Sequence, residues 1–399
     1  MKTNTGILLS TMMFLEYFIW GAWYVTMGTY MGEHLKSTGL EIGAAYGALA
    51  IATMISPFFI GLVADRFFAA QKIMGVLHLG GAALLMLATM IDTNGSFYWI
   101  ILFYSLLYMP TIALSNSIAF SQMSDPGSQF PWIRVFGTLG WIAAGLLIGQ
   151  LGIEKTSFTF VMAASCSGVL GLMSFFLPNT PPKGKTIEAG EAMGSEAFVL
   201  LRNRSYLIFF IAAILVCIPL SFYYGFANKF LNELSFSQAA GKMTLGQVSE
   251  AVFILAIPFL FNRIGVKNML LLGMTAWILR YVCFAFGDTG TNTWMLYAGI
   301  ILHGICYDFF FVTGYMYTEK KADESIKNAA QGLFTFATYG VGMFIGTGFS
   351  GWIVDKYAFG DGHSWTNIWL VPAYIALGVL IYFILFFKEK KSTINIQEA

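Results

Sequence analysis

Twelve stretches of about 20 or more residues, each almost wholly apolar, constrain this chain more than any motif in it. They fall at 7–31, 41–64, 72–91, 97–122, 130–152, 157–177, 205–230, 243–262, 268–287, 293–317, 325–354 and 366–387. About 20 apolar residues in a helix cross a bilayer core. Lipid offers no partner to backbone N–H and C=O groups, so each stretch has to be helical. An all-α, multi-pass membrane protein is therefore predicted. Composition points the same way: 57% of residues are hydrophobic and 11% charged, which excludes a water-soluble domain as the main product. A net charge of +1 gives no general attraction to nucleic acid. Cys166, Cys217, Cys283 and Cys306 all lie in apolar runs without C-x-x-C spacing, and read as buried hydrophobes rather than disulfides or metal ligands. The first stretch runs past the length of a signal-peptide core and lacks a small-residue cleavage site, so it is expected to stay as span one.

The segment from Pro178 to Ser205 is the longest polar connection, rich in Pro, Gly and charge, and divides six spans from six. The expected organisation is an N-terminal six-helix half (1–177), a central cytoplasmic loop (178–204), a C-terminal six-helix half (205–387) and a cytoplasmic tail (388–399). With the amino terminus inside, the loops on that side carry Lys2, Arg66, Lys72, Lys183, Lys185, Arg202, Arg204, Arg263, Lys267, Lys320, Lys321, Lys327, Lys388, Lys390 and Lys391. The other side carries Lys36, Lys155, Lys229, Lys242 and Lys356. This excess predicts that both termini are cytoplasmic. "GLVADRFFAAQKIM" and "PFLFNRIGVKNML" join the second span to the third in each half, a faint internal repeat of the sort that two-half transporters carry.

Five Asp, Glu or Arg side chains are read as lying within the membrane, away from the span ends: Glu16, Arg134, Glu250, Arg280 and Asp308. A charge near the bilayer centre costs about 2.5–3.5 kcal/mol on insertion scales, so each needs an account. The three acids outnumber the two bases, leaving at least one carboxyl without a fixed cation, and such a group can carry a proton. In "FPWIRVFGTLGW", Arg134, Thr138 and Trp141 follow i, i+4, i+7 and share a face, beside Gly137 and Gly140, which permit close helix approach. The alternative for Arg134 is a snorkelling position at the helix end. Gln247 and Glu250 lie three apart on one face of span eight, as site residues or as glue to an adjacent helix. Asp308 sits among Tyr307, Phe309, Phe310 and Phe311 in span ten, either proton-carrying or paired with Arg134 or Arg280. Glu16 aligns with Trp20 and Trp23 on span one, facing a cavity or a neighbouring helix. Arg280, deep in span nine, reads as structural.

At these residues the chain resembles a known family. "FPWIRVFGTLGW", "QVSEAVFILAIPFL", "GVKNMLLLGMTAWILRYVCFAFGD", "YDFFFVTGYMY" and "AAQGLF" are similar to stretches of the bacterial nucleoside:proton symporters of the major facilitator superfamily. "LEYFIWGAWYVTMGTYM" and "GLVADRFFAAQKIMGVLH" resemble their first half. The resemblance implies a major facilitator fold of twelve helices in two halves, importing a nucleoside with a proton by alternating access. It places substrate contacts on Arg134, Thr138, Trp141, Gln247, Glu250, Tyr307 and Asp308, with the proton on Asp308 or Glu250. Glu16, Trp20, Ser221, Tyr224 and His303 are further cavity candidates; Ser221 and Tyr224 stand where members of the family carry Gln and Asn, Trp141 where a phenylalanine is expected, and His303 where an aromatic or tyrosine is expected. The superfamily's G-x-x-x-D-R signature is matched by Gly61, Asp65 and Arg66, with Lys72 beyond, implying a cytoplasmic gating loop. The implied setting is a monomer among the lipids of the bacterial inner membrane, with no cofactor besides the coupling proton, no metal and no nucleic-acid partner.

The chemistry of a nucleoside suits these residues. A carboxylate beside an amide shares the hydrogen bonds of a vicinal diol, and an aromatic face stacks a flat base. A sugar:proton symporter is the alternative, because galactoside symporters also resemble "RVFGTLGW". A non-transporting membrane receptor is the other reading, without an attached signalling domain to favour it. The sequence has no H-E-x-x-H, G-x-S-x-G or Walker loop, so no enzyme is expected.

Overall fold

A computed structural model of the protein describes residues 3–59, 68–182, 195–360 and 362–388. The first half comprises Thr3–Trp23 continuing as Met27–Glu33, then Gly39–Phe59, Ala70–Ala88, Asn94–Ser121, Pro126–Leu151 and Phe158–Ser174. The second comprises Arg204–Glu233, Ala239–Phe286 broken at Gly265 (φ 76°), Thr293–Lys321, Glu324–Lys356 and Trp365–Phe386. Among the described residues, eleven helices are long and apolar enough to cross a membrane, and Phe158–Ser174 is a shorter apolar helix of 17 residues. That sixth span ends earlier than its apolar run, which turns at residues 175–177; Pro178 disfavours helical geometry in the residue before it. The spans present apolar side chains outward, Leu255 (81% exposed) and Trp132 (77%) among them, as a lipid-facing surface requires.

Among the described residues, three spans depart from regular helical geometry within their length, where freed backbone groups need protein partners. Span one breaks at residues 24–26. The Tyr46 hydroxyl of span two braces it, donating to the Tyr24 carbonyl at 2.6 Å and accepting from the Gly28 N–H at 3.2 Å. Spans ten and eleven each contain a π-helical segment, Asp308–Val312 and Phe336–Gly342. Such bulges re-aim the side chains beside them. Here the Tyr307 and Tyr339 hydroxyls meet at 2.5 Å.

Each half packs within itself, and the halves meet chiefly through span two against span eleven, span five against span eight, and span one against span seven. These crossings interdigitate at the end of the bundle opposite the termini. Asp355, at the end of span eleven, accepts from the N–H groups of Gly39 and Leu40 at the start of span two. Glu154, between spans five and six, accepts from the N–H of Ala240 at the start of span eight (3.0 Å) and from Asn228 and Asn232 (both 2.8 Å). Beyond these contacts, residues of both halves line the cavity described next. The Asp65 and Arg66 gating loop lies outside the described residues.

Candidate functional site

A cavity of about 600 Å³ lies between the halves. Span five builds much of its first-half wall. Gly140 lets span five lie directly on span one, since a β-carbon there would overlap the Phe14 carbonyl oxygen. Six residues earlier, Arg134 is half-buried and lines the cavity with Thr138 and Trp141. Its guanidinium carbon lies 4.1 Å from the centre of the Tyr17 ring, a cation–π contact. No described acid stands within ion-pair distance of Arg134; Glu250 is the carboxyl that feels its charge across the cavity. Trp20 meets Trp141 edge to face at 5.5 Å, and Tyr24 of span one reaches Tyr224 of span seven at 5.4 Å. These rings form an aromatic band that crosses between the halves.

The second-half wall is more polar. Gln247 and Glu250, sharing a face of span eight, both line the cavity, and the Glu250 side chain is 31% exposed. His303 and Tyr307, one turn apart on span ten, line it with Tyr339 of span eleven. His303 connects two charges: its Nε2 lies 3.9 Å from Glu250 Oε2, and its Nδ1 lies 2.9 Å from Arg280 Nη1. Arg280 is fully buried, with its guanidinium carbon 3.5 Å from the centre of the Tyr223 ring. The side chain expected to be structural thus sits immediately behind the cavity wall.

Asp308 differs from expectation. It is fully buried and absent from the cavity wall, and neither carboxyl oxygen has a hydrogen-bond partner. A helix turns about 100° per residue, so with Tyr307 facing the cavity its successor points away from it. It pairs with neither Arg134 nor Arg280. Ser221 likewise is buried and donates to the Ile218 carbonyl at 2.6 Å, leaving Tyr224 to represent span seven on the wall.

Glu16 also lies off the cavity, although Trp20 lines it. The carboxylate is fully buried, 2.9 Å from His78 Nε2 of span three, and accepts from the Thr111 hydroxyl of span four at 2.6 Å. His78 Nδ1 in turn lies 3.1 Å from the Ser167 hydroxyl of span six. This network ties four spans of the first half together behind Trp20. Sequence reasoning missed His78, Tyr17, Tyr24, Asn116 and Tyr339. Asn116 carried the plainest signal, a carboxamide in an apolar run, and its Oδ1 is buried without a hydrogen-bond partner on the cavity wall. Among the described residues no three His, Cys, Asp or Glu side chains converge as a metal site.

Comparisons with known proteins agree on what this architecture is. YegT of Escherichia coli (strain K12) is 42% identical, across 99% of this chain and 96% of its own. The xanthosine permease of the same organism is 36% identical across 95% of both chains. The crystal structure of the nucleoside transporter NupG superposes with a TM-score of 0.91 at 33% identity, covering 97% of this chain and all of that one. The profile of the family described as Nucleoside H+ symporter matches residues 1–392. The chain belongs to that family, and its fold is the major facilitator fold of two six-helix halves.

Proposed function

We propose that the protein imports nucleosides together with protons by alternating access, binding its substrate in the cavity between the halves. The observation that carries this reading is the pairing of walls: Gln247 and Glu250 beside Tyr307 on the second-half side, aromatic faces led by Trp20 and Trp141 on the first-half side. The volume falls in the range of small-molecule sites. Gln247 and Glu250 share the hydrogen bonds of the ribose hydroxyls, while Trp141 and Tyr307 stack the base and Thr138 supplies a further hydroxyl. Relatives named as a xanthosine permease and a nucleoside transporter support the substrate class.

Coupling follows from the excess of acids. Asp308 lies within electrostatic reach of Glu250, and Arg134 is the fixed charge facing Glu250. A proton taken up by this pair of carboxyls relieves their repulsion, which links protonation to what occupies the cavity. With the termini cytoplasmic in the bacterial inner membrane, the interdigitated end faces outward and the cavity opens inward. Asp65 and Arg66 serve as the cytoplasmic gate, and a single chain in lipid is the working unit.

Uptake of a nucleoside panel into proteoliposomes under an imposed pH gradient, with a sodium gradient as control, tests this. Accumulation is expected with the proton gradient alone. Asp308→Asn is expected to abolish accumulation while leaving nucleoside counterflow; full accumulation by that variant would reject the coupling assignment.

A further inference from the structure

We infer that Arg280 fixes the tautomer of His303, so that His303 Nε2–H and Glu250 form a donor–acceptor pair that reads a single substrate hydroxyl. A guanidinium has only donors. Arg280 Nη1 lies 2.9 Å from His303 Nδ1, so Nδ1 accepts and the imidazole proton resides on Nε2. The opposite tautomer would set N–H against N–H beside a buried cation. The ring has little freedom to turn over: it stacks on Tyr223 with centroids 5.1 Å apart at 26°, and Arg280 lies over that same Tyr223 ring. Nη1 is further held by the Cys306 sulfur at 3.4 Å. Arg280 touches no part of the cavity, so its role is that of a positioning residue acting through His303.

The spacing at the cavity wall gives this tautomer its use. His303 Nε2 and Glu250 Oε2 are 3.9 Å apart, too far for a direct hydrogen bond. An oxygen about 2.8 Å from each bridges them. The bridging atom has to accept from the imidazole and donate to the carboxylate, which a hydroxyl does and an ether oxygen or a C–H does not. A substrate lacking that hydroxyl strands both partners in a desolvated site, the situation in which sites reject an analogue most strongly. The identity of the oxygen as a nucleoside hydroxyl rests on the function proposed above; the tautomer does not.

Two measurements on the full chain test the inference separately. In ¹⁵N-histidine NMR of the protein in nanodiscs, the His303 signals, identified by their loss in His303→Phe, are expected to show a protonated Nε2 and an unprotonated Nδ1. Arg280→Met should release a mixture of forms, and Arg280→Lys, which restores a donor, should recover the Nε2–H form. A protonated Nδ1 in the native protein overturns the assignment, whether or not the Arg280 variants fold. In transport assays, inhibition by uridine is compared with that by its 2′-, 3′- and 5′-deoxy forms. One of these is expected to bind at least about 30-fold more weakly than uridine, and His303→Phe to shrink that ratio to about threefold. An unchanged ratio in His303→Phe overturns the hydroxyl-reading role. If no nucleoside competes at all, the transport reading fails, and the NMR result alone decides the Arg280–His303 assignment.

Discussion

The Asp355 carboxylate accepts the N–H groups of Gly39 and Leu40, the latter at 2.9 Å, so a side chain of the second half caps a helix of the first. Glu154 does the reciprocal for Ala240. A carboxylate at a helix N-terminus satisfies donors that have no partner within the helix and meets the positive end of its dipole. Both caps exist only while the halves are together at this end, so both favour the conformation described.

Asp355→Ala should therefore shift the population toward the form open at this end. Losing a cap costs about 0.5–2 kcal/mol, a shift of about 2- to 30-fold. Spin labels at the exposed positions His34 and Ala358, in a background without native cysteines, would report it as a larger fraction of long distances. An unchanged distance distribution would assign Asp355 no part in holding the ends together.

Gly43 sets a steric limit on the same crossing. A β-carbon there would overlap the Thr347 carbonyl oxygen of span eleven, and backbone cannot yield as a flexible side chain does. Gly43→Val is expected to keep this end ajar and to lower the maximal uptake rate by tenfold or more on the order of a 1.4 kcal/mol penalty, with normal amounts of protein in the membrane. Uptake at the native rate would show that the crossing has slack.

What the sequence disclosed and what it concealed divide along local and tertiary relationships. The Arg134, Thr138 and Trp141 face and the Gln247 and Glu250 pair were legible because helical spacing fixes them within a few residues, and all five line the cavity. Span one was misleading by the same logic. Glu16 and Trp20 share a helical stripe, yet only Trp20 reaches the cavity, because His78 of span three and Thr111 of span four hold the carboxylate behind it. Nothing in the local pattern announces partners 62 and 95 positions away. Asp308 was legible as a buried acid but not as one facing away from the cavity, because the rotation of span ten was not determined until Tyr307 took the wall.

The Glu16 network makes a prediction about stability. Glu16→Leu leaves His78 Nε2 without its partner in a fully buried site, although the Thr111 hydroxyl keeps the Tyr108 carbonyl, and stranding a buried polar group costs about 1–3 kcal/mol. The variant should unfold several degrees earlier in detergent. Glu16→Gln keeps hydrogen-bonding capacity and should fall between it and the native protein. Glu16→Leu unfolding at the native temperature would mean that the first half does not depend on this tie.

Glu250 should behave differently, because it faces the cavity instead of the packing. Its side chain is 31% exposed and meets no fixed cation among the described residues within ion-pair distance, His303 being its nearest basic partner there at 3.9 Å. Glu250→Gln keeps the shape of the side chain and replaces a charged acceptor with a neutral one. Hydrogen bonds to charged groups contribute about 1.5–3 kcal/mol, so substrate affinity should weaken by about 10- to 150-fold, with little change in thermal stability. Gln247→Leu, removing a neutral amide, should cost about tenfold or less. Binding titrations on purified protein compare the two directly. If the Gln247 variant lost more affinity than the Glu250 variant, the carboxylate would not be the principal acceptor for the substrate.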